Sequence, residues 1–131
     1  MMKQKPGSTA AQGREYPSSL LNIAIILAAI SGILHVYVGY VVDGLPNGAA
    51  LILIAIVYFI GAALVAAKYK RDLLLKIGPA WVALVIVLWA LVAVMNIAGY
   101  DARDPAAYAI KVDELVLLGV IFQIRRVTLH R

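Results

Sequence analysis

The chain has 131 residues, of which 63% are hydrophobic and 15% charged; its formal charge is +5 and it contains no cysteine. A water-soluble domain of this size needs more polar surface, so the composition predicts a protein that lies in a lipid bilayer. The missing cysteine excludes disulfides, thiolate nucleophiles and cysteine-ligated metals, and the basic residues lack the aromatic partners of a nucleic-acid surface, so no nucleic acid is expected.

The first long apolar run follows a polar N-terminal stretch. Residues 1–19 mix Gly, Pro, Ser and charged residues without apolar periodicity, which is typical of a mobile tail. The next residues, 20–42, would form a helix about 35 Å long, enough to cross a bilayer. This run continues past Tyr37 and Tyr40 without a small-residue cleavage site. It therefore predicts a retained transmembrane helix and not a signal peptide.

Three further apolar segments follow, each bounded by turn or charge signals. Residues 43–48 are rich in Asp, Gly, Pro and Asn, which predicts a tight turn. A basic cluster at Lys68, Lys70 and Arg71 ends the second segment, and Pro79 is expected in the first turn of the third. Asp104 and Pro105 have the pattern of an N-cap and a first helical residue. The four predicted spans are residues 20–42, 49–67, 77–98 and 105–126, and residues 127–131 form a basic tail.

The distribution of positive charge predicts the orientation. With four crossings, all but two of the 12 lysines and arginines lie on one side of the membrane. The two exceptions are Arg103 and Lys111. Basic residues concentrate in cytoplasmic loops, so both termini are expected in the cytoplasm. The sequence thus predicts an all-α, multi-pass integral membrane protein of the plasma membrane, a four-helix bundle with up-down-up-down topology.

Polar residues within the apolar segments are the candidates for function, because burying an ionisable group in lipid requires a partner or a role. Lys111 and Glu114 are three residues apart on one helix and can pair. Helix 20–42 carries a stripe of small residues that would let a neighbouring helix approach closely. The predicted outer polar cluster is His35, Asn96, Lys111, Asp113 and Glu114, and the predicted packing stripe is Ala28, Ser31, Gly32 and Gly39.

Several interpretations of this cluster remain open. It can be structural, with ion pairs that orient the fourth helix, or the fourth helix can begin later so that these charges face water. It can be a proton or ion site, since histidine changes its charge near neutral pH. In a haem b site, His35 would be one axial ligand of the iron and Met95 would have to be the second, because His130 lies in the cytoplasmic tail. No metal site and no catalytic residue is predicted, since no ligand spacing or catalytic motif occurs.

The string Gly32-Ile-Leu-His35-Val-Tyr-Val-Gly39, the tryptophan-containing third helix and the charged start of the fourth resemble uncharacterised small four-helix membrane proteins of archaea. That resemblance implies the membrane fold, is compatible with an archaeal source and implies no known activity.

The expected function is that of an accessory or scaffolding subunit. Its partners would be the lipid bilayer and either other membrane subunits, such as those of a respiratory or other energy-converting complex, or further copies of the chain. No catalysis and no cofactor of its own are expected. The alternative is a small proton- or ion-coupled transporter that uses the outer cluster, and a minor alternative is a haem b-binding subunit.

Overall fold

The computed structural model describes residues 16–97 and 104–129, and within them all regular secondary structure is helical. Its helices are α1 (Ser18–Tyr37), α2 (Ala49–Ala66), α3 (Arg71–Met95) and α4 (Pro105–Leu129), and a π-helical turn, Val38–Val42, extends α1. The predicted tail before residue 16, the end of the third span at residue 98, the loop at 101–103 and residues 130–131 lie outside the described residues.

Three of the described helices are long and apolar enough to cross a membrane: α1 with its π-helical turn, α2 and α3. Each of them leaves large apolar side chains uncovered, such as Ile26 at 57%, Leu53 at 64% and Val94 at 83% exposure. Faces of this kind are stable against lipid and not against water. The chain is therefore a helical-bundle membrane protein. The fourth helix is also 25 residues long, but it carries charged residues in its middle.

The four helices do not pack equally. α1 lies along both α2 and α4, whereas α3 packs on α4 and touches α2 only sparingly. One group of buried residues in the bundle is apolar apart from one phenol, and all four helices contribute to this apolar core. Its buried members are Leu21, Ala24, Tyr58, Leu75, Val82, Leu117, Ile121 and Ile124.

Small residues of α1 lie where α1 approaches α2. Ser31, Gly32 and Gly39 are buried and Ala28 is half-buried. A Cβ atom added to Gly39 would lie 2.6 Å from the carbonyl oxygen of Gly48, and one added to Gly32 would lie 2.6 Å from the Phe59 ring. Neither distance is compatible with a side chain, so the close approach of α1 to α2 depends on the missing Cβ atoms.

The third helix differs from the prediction at its start. It begins at Arg71 and not at residue 77, because Lys70 takes a left-handed φ of 51° and the chain becomes helical immediately after it. The Arg71 guanidinium donates to the Val65 carbonyl oxygen at 2.8 Å, and Leu75 is buried in the core. These contacts stabilise the additional turns. Pro79 consequently lies inside the helix and not in its first turn.

The other helix ends are set by local hydrogen bonds. α3 ends at Met95, because Asn96 follows with a left-handed φ of 52°. At the start of α4 the Asp104 carboxylate accepts a hydrogen bond from the Ala106 amide at 2.8 Å. Residues 127–129, predicted as part of a tail, are the last turn of α4, where the buried Thr128 hydroxyl donates to the Ile124 carbonyl at 2.7 Å.

The contact between α1 and α2 can be tested at Gly39. We expect Gly39→Ala to lower the free energy of unfolding by about 1–3 kcal/mol, because the new methyl group meets backbone that cannot move aside. Gly119→Ala is the matched control, since a Cβ there meets nothing within 4 Å; it should leave stability unchanged or raise it by up to about 1 kcal/mol. Denaturation in mixed detergent micelles measures both, and equal effects would contradict the close packing.

Candidate functional site

A fully buried carboxylate on α4, Glu114, is the centre of the candidate site. Its Oε1 atom lies 2.5 Å from the Lys111 Nζ atom. Its Oε2 atom accepts a hydrogen bond from the Tyr58 hydroxyl at 2.5 Å and lies 3.7 Å from the Nε2 atom of His35. The carboxylate thus joins α4 to α2 and to α1. We call Glu114, Lys111, Tyr58 and His35 the buried cluster.

The orientation of His35 follows from its own helix. Its Nδ1 atom lies 2.7 Å from the Ser31 carbonyl oxygen, one turn earlier. A carbonyl oxygen only accepts hydrogen bonds, so Nδ1 carries a proton and donates it there. In the neutral ring the Nε2 atom is then an acceptor, and it is the atom that faces Glu114. Two hydrogen-bond acceptors therefore face each other inside the protein whenever neither holds a further proton.

Aromatic rings enclose the buried cluster. The His35 and Tyr58 rings stack with centroids 5.4 Å apart, and Trp81 meets Tyr58 edge-on at 6.2 Å. The Lys111 ammonium lies 5.7 Å from the centroid of the Trp89 ring. A cation over an indole face gains electrostatic stabilisation where little water reaches. The rings thus support the charged groups on the sides that the carboxylate does not cover.

The other candidate residues from the sequence are not members of the buried cluster. Asp113 is buried on α4, and its Oδ2 atom has no hydrogen-bond partner in the part of the chain that the structure describes. Asn96 is exposed at the end of α3 and is not one of the residues that hold Glu114. Met95 is 67% exposed, so it does not face His35 as the second ligand of a haem would, and His130 lies outside the described residues.

One residue of the buried cluster, Tyr58, was not among the predicted cluster residues. The sequence did contain a signal for a role of Tyr58 in the site, because Tyr58 is the single polar side chain between Ala49 and Ala66. In the described residues no three His, Cys, Asp or Glu side chains come together as a set of metal ligands.

A cavity of about 330 Å³ reaches the buried cluster from the end of the molecule at which α1 turns into α2. His35, Lys111 and Asp43 are its polar wall residues, and the rest of its lining is mostly apolar or aromatic, with Trp89 and Ile110 next to the cluster. A largely apolar cavity with a few convergent polar groups is the usual form of a small-ligand site. It gives the cluster a route that does not pass through the core.

A model described as the ABC 3 transport family matches residues 1–66, half of the chain. The chain belongs to the ABC 3 transport family. The match ends where α2 ends, so it includes His35 and Tyr58, whereas Lys111 and Glu114 lie beyond it. No curated protein and no solved structure matches this family member. Together with its apolar helices, the match identifies a membrane transport-related protein, and the archaeal resemblance stays a prediction.

The pairing within the buried cluster predicts a strong double-mutant coupling. Lys111→Met and Glu114→Leu should each lower the free energy of unfolding by about 3–5 kcal/mol, because each leaves the other charge buried and unpaired. The double variant removes both charges and should regain most of the loss. Unfolding in mixed micelles measures the coupling.

The control for this double-mutant cycle is an exposed lysine, Lys68. Lys68→Met removes a positive charge from an exposed position, and its effect should stay within about 0.5 kcal/mol. If the losses of the two single variants simply add in the double variant, Lys111 and Glu114 are not a coupled pair.

Proposed function

We propose that this protein is a small proton- or ion-coupled membrane transport protein, and that the bound proton or cation lies between His35 and Glu114. The observation that carries the proposal is the approach of the Nε2 atom of His35 to the Oε2 atom of Glu114 at 3.7 Å inside the bundle. Two facing acceptors repel each other in a low-dielectric interior, and a proton or small cation between them removes that repulsion.

The balance of charge around this pair supports the same function. Glu114 and Asp113 are two buried carboxyl groups on one turn of α4, and Lys111 is the buried cation beside them. With both carboxyl groups ionised, one negative charge has no counter-charge from Lys111. An uncompensated buried charge is costly, so the site favours one more positive charge. The unpartnered oxygen of Asp113 is consistent with this shortage.

A transported proton or ion also needs a route, and the cavity beside His35 and Lys111 supplies one from a single end of the bundle. In alternating access, a transport site must not open to both sides of the membrane at once. The site should therefore be closed at the opposite end of the bundle. On that side the apolar core lies between the cluster and the basic ends of the helices. Movement of α3, the most loosely packed helix, would provide the second opening.

For the membrane arrangement we propose an up-down-up-down four-helix bundle in the plasma membrane, with both termini in the cytoplasm. Tyr16 before α1, Asp72 at the start of α3 and Thr128 at the end of α4 line one pocket, which supports alternating helix directions. Positive residues concentrate at that end, as in cytoplasmic loops. Those described are Lys68, Lys70, Arg71, Lys76, Arg125 and Arg126.

The second candidate is an accessory or scaffolding subunit of a larger membrane complex, without catalysis or a cofactor of its own. The broad uncovered faces of α2 and α3 favour it, with Ile60 at 53% and Val87 at 53% exposure. Helices of partner subunits or of further copies could pack there as well as lipid does. In that case the buried cluster would orient α4 and would bind nothing.

The proposed orientation predicts a labelling pattern that is simple to read because the chain has no cysteine. In intact cells, a membrane-impermeant thiol reagent should label Asn47→Cys and leave Lys68→Cys unlabelled. Both positions are exposed, so permeabilised cells should label equally at the two sites. Labelling of Lys68→Cys in intact cells would reverse the orientation.

Proton coupling predicts a flux that depends on Glu114. In liposomes with an imposed pH gradient and a pH-sensitive dye inside, the purified protein should carry protons. Glu114→Gln and His35→Gln should lower the flux to that of protein-free liposomes, because neither amide binds a proton. Correct folding of each variant is checked by its elution in size-exclusion chromatography.

Asp104→Asn is the matched control for the loss of a carboxylate. Asn caps a helix as well as Asp does, so α4 should still begin at Pro105 and the flux should be unchanged. A flux that survives Glu114→Gln would contradict the proposed site. Absence of flux from the unchanged protein, with other subunits co-purifying in fixed ratio from native membranes, would favour the accessory role instead.

A further inference from the structure

A second, separate cavity lies at the other end of the molecule, between α2 and α3. Its volume is about 150 Å³ and its lining is almost entirely apolar, with Gly61 and Val65 on one side and Leu75 and Trp81 on the other. Apolar voids of about this size stay dry and accept an apolar guest. It lies where α2 and α3 touch only sparingly, which leaves it open toward the lipid side.

One polar atom at this cavity lacks a partner. The Trp81 indole Nε1 is buried and has no hydrogen-bond partner among the described residues. An indole N–H only donates, and buried donors are normally satisfied. The cavity itself is lined almost entirely by apolar atoms and therefore fits an apolar guest such as a lipid acyl chain.

A polar pocket of about 220 Å³ adjoins this apolar cavity, and Leu75 lines both. Lys76 and Arg125 supply its positive charge. The one acidic wall residue, Asp72, accepts a hydrogen bond from the Tyr16 hydroxyl, and the two cations still exceed its negative charge by one. The remaining wall is thus suited to an anionic group, and basic pockets between membrane helices commonly hold anionic lipid headgroups.

The two spaces together have the chemistry of an amphiphile, with a place for an anionic headgroup next to a place for an apolar chain. We propose that an anionic phospholipid binds here, with its phosphate between Lys76 and Arg125 and its acyl chain in the cavity between α2 and α3. The choice of a phospholipid follows from the surroundings, because the site lies at the basic end of helices that are long and apolar enough to cross a membrane. The bound lipid fills the sparse contact between α2 and α3. Of the buried cluster, Tyr58 also lines the apolar cavity, whereas its other members do not.

Native mass spectrometry of the full chain in mild detergent tests the proposal. Phosphatidylglycerol should remain bound through gas-phase activation that removes phosphatidylcholine with the same acyl chains. The melting temperature should rise with added phosphatidylglycerol and not with inorganic phosphate alone. Retention of both lipids to the same extent, or a full shift with inorganic phosphate, would overturn the proposal of a phospholipid site.

Two pairs of variants separate the headgroup contact from the chain contact. Lys76→Gln should remove the preference for phosphatidylglycerol, whereas Lys68→Gln, outside the pocket, should keep it. The new side chain of Gly61→Leu projects into the cavity and should weaken the binding of both lipids. Gly119→Leu lies on an open surface and should weaken the binding of neither. Equal effects within either pair would contradict the assignment. These measurements do not depend on proton flux.

A fluorescence measurement keeps the test valid if Gly61→Leu fails to fold. The chain has two tryptophans, so Trp89→Phe leaves Trp81 as the single emitter. In this variant, phosphatidylglycerol with brominated acyl chains should quench the emission at lower lipid-to-protein ratios than brominated phosphatidylcholine. Identical quenching curves would show that no anionic lipid is selected beside Trp81.

Discussion

The burial of Glu114 is the constraint on which the arrangement of the helices depends. An ionised carboxylate without partners inside a membrane protein is too costly to persist, so its neighbours must supply positive charge and hydrogen bonds. Lys111 does so from the same helix, and Tyr58 does so from α2. His35 approaches from α1. Because these contacts need angstrom precision, they fix the axial register of three helices together, which apolar packing alone does not do.

The packing of the bundle is uneven, and this has consequences for function. Glycines let α1 approach α2 closely, and α1 also lies along α4, so these three helices form the firm part of the structure. α3 is fixed to α4 and only loosely to α2. The apolar cavities of about 150 Å³ and 330 Å³ both have α2 on one side and α3 on the other. A loosely packed helix that borders two cavities is suited to movement. In a transport-related protein, movement is required to change access to a buried site.

The family match and the geometry support function from different parts of the chain. The match to the ABC 3 transport family covers α1 and α2 and thus half of the buried cluster. The charged half, Lys111 and Glu114, lies on α4 and enters the argument only through its contacts with His35 and Tyr58. Transport is accordingly the broader conclusion, and proton or ion coupling is the proposal that the geometry of the pair supports.

The sequence by itself determined the membrane class, the approximate positions of the helices and the pairing of Lys111 with Glu114, because long apolar runs, turn residues and helical spacing act locally. It also indicated which small residues of α1 would face a neighbour. Only the tertiary structure decided that Tyr58 joins His35 at the carboxylate and that Asn96 stays outside, since contacts between helices depend on their relative rotation and depth. The early start of α3 was decided in the same way. Burial of Leu75 and the bond from Arg71 to the end of α2 stabilise turns that the local signals at Pro79 did not predict.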